Sequence, residues 1–384
     1  RPETRPDPVT GRVVQRISPE LHHVTLGYHT REILTEDEKG IVGAINIGGE
    51  VFPVLLRPDD GEAAILTDVP MAGMMTPCLT PDGRVIYATA DQRIVSVDLA
   101  GNGFKTLYQG PSGCKMGLPH VSDHAPLVAT TLNDLKQKQP FESALVLINR
   151  ETGKASIPLT EHTRYAHSDF SPVDPQLMMF RYTAGWKKPR LSFGRFNFAT
   201  HKLIESWPVF PHRPGIEAIG HQLFLPDGRV AATYVKDFDP ESGRTGIECA
   251  GIVVTEPTKT ATPVVHTVPW FTRNHIHSRD GITFVSEGVG SVNFSEPELE
   301  KYRSLPPDFK VCKKPRTERD ILIRIDVTDE SGGATRVTPV CCVCSSWKDG
   351  QHHPHPVVGR VSRYVYFNSD RTGTRQVYRV PMER

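Results

Sequence analysis

Short runs of alternating apolar and polar residues, rich in Val, Ile, Tyr and Phe, recur along the chain between turn signals. Such runs are typical of β-strands, in which successive side chains face opposite ways. The clearest runs cover residues 84–89, 93–99, 143–148, 321–327, 364–368 and 376–380. With 31 Gly and 33 Pro, the chain is interrupted too often for long helices. The pattern therefore predicts an all-β protein.

Turns resembling Pro-Asp-Gly precede the strand pairs and define a repeat. The clearest copies lie at residues 80–83, 171–174 and 225–228, and weaker ones at 36–39, 122–124, 279–281 and near 359–360. These seven units are spaced by roughly 40–55 residues, apart from one long gap before the last. A period of this length with several strands per unit predicts a seven-bladed β-propeller in preference to a pair of β-sandwiches.

The length of 384 residues allows one large domain or two ordinary ones. We expect a single propeller domain over residues 1–384, with the polar stretch around 295–319 as an insertion over one face. Residues 11–17 have the pattern of a strand that joins the C-terminal blade. Such a closure would remove the exposed edges of an open ring.

Charge and cysteine content narrow the class of protein. With 45 basic and 44 acidic residues, nothing favours a nucleic-acid partner. No apolar run approaches the roughly 18–20 residues of a membrane-spanning helix, so no membrane partner is expected. The seven cysteines lack the spacing of a disulfide framework, which indicates reduced, buried thiols and a cytoplasmic protein, although a removed signal peptide stays open. A zinc site on Cys342 and Cys344 lacks a second cysteine pair, so buried strand thiols are favoured.

Three histidines, a glutamine and two prolines stand together at residues 351–356. Proline pushes the residue before it towards extended backbone, so His353 and His355 are expected to face the same side. Two imidazoles on a stiff backbone can hold a divalent metal, and His275 or His277 from the preceding unit could add a third. With the glutamine oxygen this donor set suits Mn, Fe, Ni or Zn better than Ca or Mg. Open coordination positions would allow Lewis-acid chemistry on a substrate.

Histidines stand at similar positions before the turns of several units. In a propeller, equivalent positions of successive blades lie on the same rim of the central channel, so these side chains are expected to converge. They are His22, His23, His167, His221, His275 and His277, in addition to the C-terminal pair. The chain has no Gly-x-Ser-x-Gly elbow, P-loop or dinucleotide fingerprint, whereas a carboxylate pair for glycoside hydrolysis stays open.

Three stretches carry a family resemblance: residues 346–373, where Ser-Trp is followed by His-Pro-His-Pro, residues 79–99 and residues 220–228. They resemble the oligogalacturonate lyases, metal-dependent polysaccharide lyases on a seven-bladed propeller, and weaker similarity extends from about residue 8 onward. The resemblance implies β-elimination on short oligogalacturonides or a related uronate oligosaccharide, with a 4,5-unsaturated product. It also implies a divalent metal of the Mn²⁺ type, which binds the carboxylate of the sugar.

The resemblance also implies roles for particular residues. The metal ligands would be His275, Gln351, His353 and His355. His221 matches the proton-abstracting histidine, Arg190 matches the active-site arginine, and His23 and His167 on the same rim are expected to contact substrate.

Three departures from the family pattern affect these assignments. Gln351 stands two positions before His353 where the family has three, and His275 is one residue closer to its Asp-Gly, so His277 competes for its role. Where the family has a His-Arg pair near the N-terminus, this chain has His22-His23-Val24, which leaves the identity of the sugar open.

Two other classes of function are compatible with a propeller of this kind. One is a non-catalytic TolB-like propeller that acts as a scaffold for protein partners. Binding a protein partner does not, however, require several histidines to converge on one end of the channel. The other is a metal-dependent hydrolase or epimerase on the same site, which would differ from a lyase in its product.

Overall fold

The structure, a computed structural model, describes residues 3–7, 10–72, 76–101, 103–134, 142–161, 164–183, 189–208, 217–236, 250–268, 275–287, 321–345, 353–361 and 363–383. The regular elements in these ranges are β-strands. The described part of the chain contains no helix with the length and apolar character that crossing a membrane requires. The expected insertion around residues 295–319 lies outside the described residues.

The strands form seven antiparallel blades, numbered here in chain order. Blade 1 contains β3 (His23–Leu26), β4 (Ile41–Ile47), β5 (Glu50–Arg57) and β6 (Glu62–Ile65). Blade 2 contains β7 (Pro77–Leu79), β8 (Arg84–Ala88), β9 (Arg93–Asp98) and β10 (Lys105–Gln109). Blade 3 contains β11 (Cys114–Met116), β12 (His120–Val121), β13 (Leu127–Asp134), β14 (Ser143–Asn149) and β15 (Ala155–Glu161). Blade 4 contains β16 (Arg164–Phe170), β17 (Leu177–Thr183), β18 (Pro189–Asn197) and β19 (Lys202–Pro208). Blade 5 contains β20 (Glu217–Phe224), β21 (Val230–Lys236), β22 (Ala250–Thr255) and β23 (Val264–Thr267). Blade 6 contains β24 (Ile276–Ser278), β25 (Thr283–Glu287), β26 (Ile321–Val327) and β27 (Gly333–Cys342). Blade 7 contains β28 (Val357–Val358), β29 (Tyr364–Ser369) and β30 (Gln376–Pro381), completed by β2 (Val13–Arg16) and β1 (Thr4–Pro6).

This architecture confirms the prediction of a seven-bladed β-propeller, and strands are found at each of the six runs identified in the sequence. The N-terminal strand closes the ring as expected, because Gln15 pairs with Arg379 and Arg16 with Tyr378. The first strand of each blade lies innermost, so these strands line the central channel. Blades 5 and 6 are also joined at their outer edges by a short parallel pairing of β23 with β27.

Alternate residues of one strand pack against opposite neighbouring blades. On β26, Ile323 and Ile325 belong to the apolar cluster shared with blade 5, whereas Leu322 belongs to the cluster shared with blade 7. On β17, Met179 packs towards blade 5 and Met178 towards blade 3. Because both faces of these strands are buried, they are apolar at nearly every position.

Blade 1 departs from regular pairing where its inner strand reaches the channel. Leu26 pairs with Gly43 and Leu34 with Ile41, so residues 27–33 stand opposite one residue of β4. We call residues 27–33 the channel segment. It reaches blade 4 on the far side of the ring, where Tyr28 stacks on His167 at 4.8 Å between ring centroids.

The channel segment is held to blade 4 by a buried ion pair between Arg31 and Asp169. The side chain of Arg31 is 0% exposed and that of Asp169 is 3% exposed. Burial raises the pKa of Asp169 by more than the charge of Arg31 lowers it. The desolvation of the carboxylate thus outweighs its attraction to the guanidinium, which is common for a fully buried pair.

We expect Asp169→Ala to lower the free energy of unfolding by about 3–5 kcal/mol, because it leaves the Arg31 guanidinium buried without its counter-charge. Urea denaturation followed by circular dichroism measures this loss. The double variant Arg31→Met/Asp169→Leu replaces both charges by apolar groups and should recover most of the stability. A single variant within about 1 kcal/mol of the wild type would contradict the expectation.

Candidate metal centre

Three histidines from blades 6 and 7 come together at one end of the channel. One ring nitrogen from each of His275, His353 and His355 lies within 4.8 Å of the other two. His275 immediately precedes β24 and His355 closely precedes β28, so both enter the site where an inner strand begins. The side chain of His353 is 31% exposed and that of His275 only 7%, so the triad is open on the His353 side.

The segment from His353 to His355 is fixed by its backbone. The carbonyl of Pro354 accepts a hydrogen bond from the amide of Asn368 on β29 at 2.8 Å. His355 has a φ of +44°, a left-handed conformation that only a minority of non-glycine residues adopt. The rings of His353 and His355 face the same site, with their centroids 5.8 Å apart.

A buried carboxylate, Glu287 at the end of β25, contacts all three residues of the triad. Its Oε1 accepts a hydrogen bond from Nδ1 of His275 and lies 3.5 Å from Nδ1 of His353. Its Oε2 accepts the backbone amide of His355 at 2.8 Å. With Nδ1 of His275 turned to the carboxylate, Nε2 is left for a metal, which is the usual arrangement of a carboxylate behind a metal-binding histidine.

Electrostatics favour ligands in their metal-binding form. Burial alone would raise the pKa of Glu287, but His275 and the hydrogen bonds from His275 and His353 lower it well below its usual range. Burial, followed by the charge of His275, lowers the pKa of His355 well below that of a free imidazole. An ionised Glu287 and a neutral His355 fit a divalent transition metal, because imidazole must be deprotonated to bind one. These residues can therefore hold such an ion.

His221 and His167 enter the channel at irregularities of two inner strands. On β20, His221 and Gln222 occupy the space opposite one residue of β21, and on β16 His167 is an extra residue at a shift in the register with β17. Both histidines have positive φ, +47° for His221 and +56° for His167. Such bulges redirect a side chain out of the sheet and are frequent beside active sites. The ring of His221 lies 4.1 Å from that of His275, centroid to centroid.

Two residues of the channel segment complete the cluster. Tyr28 makes edge contacts with His275 and His355, at 5.1 and 5.2 Å between ring centroids. The ring of His29 is 4.7 Å from that of His275 and 6.0 Å from that of His221. Blades 1, 4, 5, 6 and 7 therefore all contribute rings to one cluster.

The structure separates the two candidates for the third imidazole. His275 joins the triad, whereas Nδ1 of His277 accepts the backbone amide of Val358 at 3.2 Å. His23, at the exposed start of β3, accepts the amide of Arg375 with its Nδ1 and is not among the ring contacts of the cluster. The channel segment, which begins four residues further along the chain, supplies blade 1's contribution instead.

For two of the expected site residues, Gln351 and Arg190, the structure describes no side chain. Gln351 lies outside the described residues. The backbone of Arg190 lies on β18, paired with Tyr182, at the end of blade 4 where β16 begins.

Sequence reasoning missed Glu287 and the channel segment. Glu287 has a recognisable signal, since it is a charged residue that ends the apolar strand β25 in the unit that carries His275. Tyr28 and His29 precede the turn of the first unit, as the other site histidines precede the turns of their units. The adjacent histidines His22 and His23 offer the same signal in that unit, so the sequence does not single out His29.

Solved structures similar to this one include two oligogalacturonate lyases. The enzyme from Vibrio parahaemolyticus has a TM-score of 0.75 at 18% identity, and the comparison covers 99% of this chain and 96% of that chain. An oligogalacturonate lyase in complex with manganese has a TM-score of 0.77 at the same identity and coverage. A streptogramin B lyase has a TM-score of 0.54 at 12% identity, over 96% of both chains. The sequence itself matches no family model and no curated protein.

At these identities the likeness concerns the fold. The chain has the seven-bladed β-propeller architecture of the oligogalacturonate lyases, in agreement with the resemblance seen in its sequence.

Proposed function

We propose that this protein is a metal-dependent polysaccharide lyase that cleaves short oligogalacturonides, or a related uronate oligosaccharide, by β-elimination. The observation that carries the proposal is the triad of His275, His353 and His355 behind Glu287, with a further histidine, His221, beside it. The manganese complex of a lyase with the same fold supports Mn²⁺ as the ion.

The site offers what this elimination requires. The proton to be removed lies α to a carboxylate and is weakly acidic, because its loss builds negative charge on an anionic group. A divalent ion bound by the triad would supply positive charge beside that carboxylate. The triad is most exposed at His353, which leaves a side from which a sugar acid can approach.

His221 is the proposed base. Its ring nitrogen would take the proton from C5 of the sugar, and the electron pair of the broken C–H bond would form the C4=C5 double bond. The bond between C4 and the glycosidic oxygen breaks in the same elimination, and that oxygen leaves with the other sugar. The bulge in β20 turns His221 towards His275, so the base stands next to the group that would hold the carboxylate.

The remaining assignments extend this proposal. Arg190 would place fixed positive charge near the sugar acid or the developing anion. Gln351 would add an amide oxygen to the metal. His167, stacked on Tyr28 at the rim, would contact substrate, and so would His23 if a longer oligosaccharide extends past the cluster towards blade 1.

A scaffold role does not account for the site. Left-handed backbone at three histidines and a buried carboxylate aimed at the triad are costly features that packing against a protein partner does not need. A hydrolase or epimerase could use the same residues, and the reaction product distinguishes them.

We expect the protein, incubated with short galacturonate oligomers and Mn²⁺, to generate near-ultraviolet absorbance, because only elimination creates a double bond conjugated to the carboxylate. Removal of the metal with a chelator should stop the reaction, and Mn²⁺ should restore it. A panel of uronate oligomers that differ in sugar and length would identify the preferred substrate.

The absorbance is read together with product size, so that a hydrolase gives shortened oligomers without absorbance. No absorbance on any uronate, with Mn²⁺ confirmed bound, would rule out the lyase.

A further inference from the structure

His29 is the deepest ring of the cluster. It is 0% exposed, compared with 5% for His275 and 8% for His355. Its ring contacts are with His275, His221, His355 and Tyr28. His29 therefore lies on the floor of the site, on the side away from the exposed ring of His353.

Among the residues that the structure describes, no group forms a hydrogen bond with either ring nitrogen of His29. Burying a polar group without a partner costs a few kcal/mol, so buried histidines normally have one. A neutral imidazole has one nitrogen lone pair that is free to bind a metal.

Two ring separations of His29 match those of imidazoles that share one ion, whereas its nitrogens lie outside the group within 4.8 Å that the triad forms, so the ring of His29 has to move towards the ion to bind it. With metal–nitrogen bonds of about 2.1 Å, ring centroids lie roughly 4.5 Å apart for ligands at right angles and roughly 6.5 Å apart for opposite ligands. The centroid of His29 is 4.7 Å from that of His275 and 6.5 Å from that of His355. Within the triad the separations are 4.3, 5.5 and 5.8 Å.

We propose that His29 is a fourth imidazole ligand of the metal, and that it binds from the floor of the channel opposite the open side. The proposal rests on the metal site of the proposed function but not on the reaction. The ring of His221 also lies near that of His275, at 4.1 Å between centroids, but His221 is partly exposed and stands where substrate can reach it. The channel segment would thus deliver to the site a ligand from blade 1 that the sequence pattern does not reveal.

Mn²⁺ alone tests the proposal in the absence of any sugar. Pulsed electron paramagnetic resonance of the wild-type protein loaded with Mn²⁺ should show histidine nitrogen couplings that fall by one ligand in His29→Phe. This variant keeps a ring of similar size without nitrogens. Titration of free Mn²⁺ should show binding weakened by about 100-fold or more, since even the loss of a group behind a ligand costs 10–100-fold.

The matched control is His266→Phe, which changes a buried histidine on the outer strand β23 and should leave the nitrogen couplings and the Mn²⁺ affinity unchanged. If His29→Phe binds Mn²⁺ as tightly as the control with the same couplings, the proposal is wrong. If His29→Phe does not fold, the spectrum of His221→Ala loaded with Mn²⁺ decides: four histidine couplings support the proposal and three overturn it. A protein with four couplings and no lyase activity would retain this inference and lose the proposed function.

Discussion

His275→Ala is expected to weaken Mn²⁺ binding by at least about 100-fold and to remove activity at ordinary metal concentrations. His275 lies at the centre of the cluster, where its ring contacts those of His221, His353 and His355. Its loss removes one proposed ligand and also leaves Oε1 of Glu287, a buried anion, without the hydrogen bond from His275. Isothermal titration with Mn²⁺ and the absorbance assay measure the two effects.

Two further variants make this test specific. Glu287→Gln keeps the triad but replaces the carboxylate behind it, so Mn²⁺ binding should weaken by about 10–100-fold, less than for the lost ligand. His277→Ala removes a buried histidine two residues from His275 that is bound to Val358, and it should leave the affinity unchanged. Loss of binding in His277→Ala with binding kept in His275→Ala would reverse the assignment of the third imidazole.

The propeller could be predicted because its strands are buried on both faces. Residues such as Leu322 and Ile323 pack against different neighbouring blades, so the strands are apolar at consecutive positions and stand out between turns. The pairing of His353 with His355 was also predictable from their spacing, but the extended backbone expected there was wrong at His355, which has a left-handed φ of +44°. Both signals lie within a few residues of sequence.

The rest of the site depends on pairings that short-range patterns do not carry. His29 reaches the cluster because Leu34 resumes the pairing on β4 eight residues after Leu26 leaves it. A bulge of that length is set by what the segment meets across the channel, including Asp169 on blade 4. Glu287 likewise acts on His355 over a separation of 68 residues.

His221→Ala is expected to keep Mn²⁺ binding near that of the wild type while turnover falls by roughly 10²- to 10⁴-fold, the usual contribution of a positioned general base. The expectation follows from the position of His221, whose ring is 4.1 Å from that of His275 and which is partly exposed, where substrate can reach it. A base of this kind acts on the reacting proton and not on the ion. Metal titration and steady-state kinetics on the same preparation therefore separate the two roles.

The matched control is His167→Ala, which removes the other histidine at an inner-strand bulge. If His167 only contacts substrate, its loss should raise KM with a smaller effect on kcat, whereas the loss of a base lowers kcat. Should His221→Ala remain active while His167→Ala loses turnover with metal still bound, the base is His167. Should His221→Ala lose the metal together with turnover, His221 is a ligand of the ion and not the base.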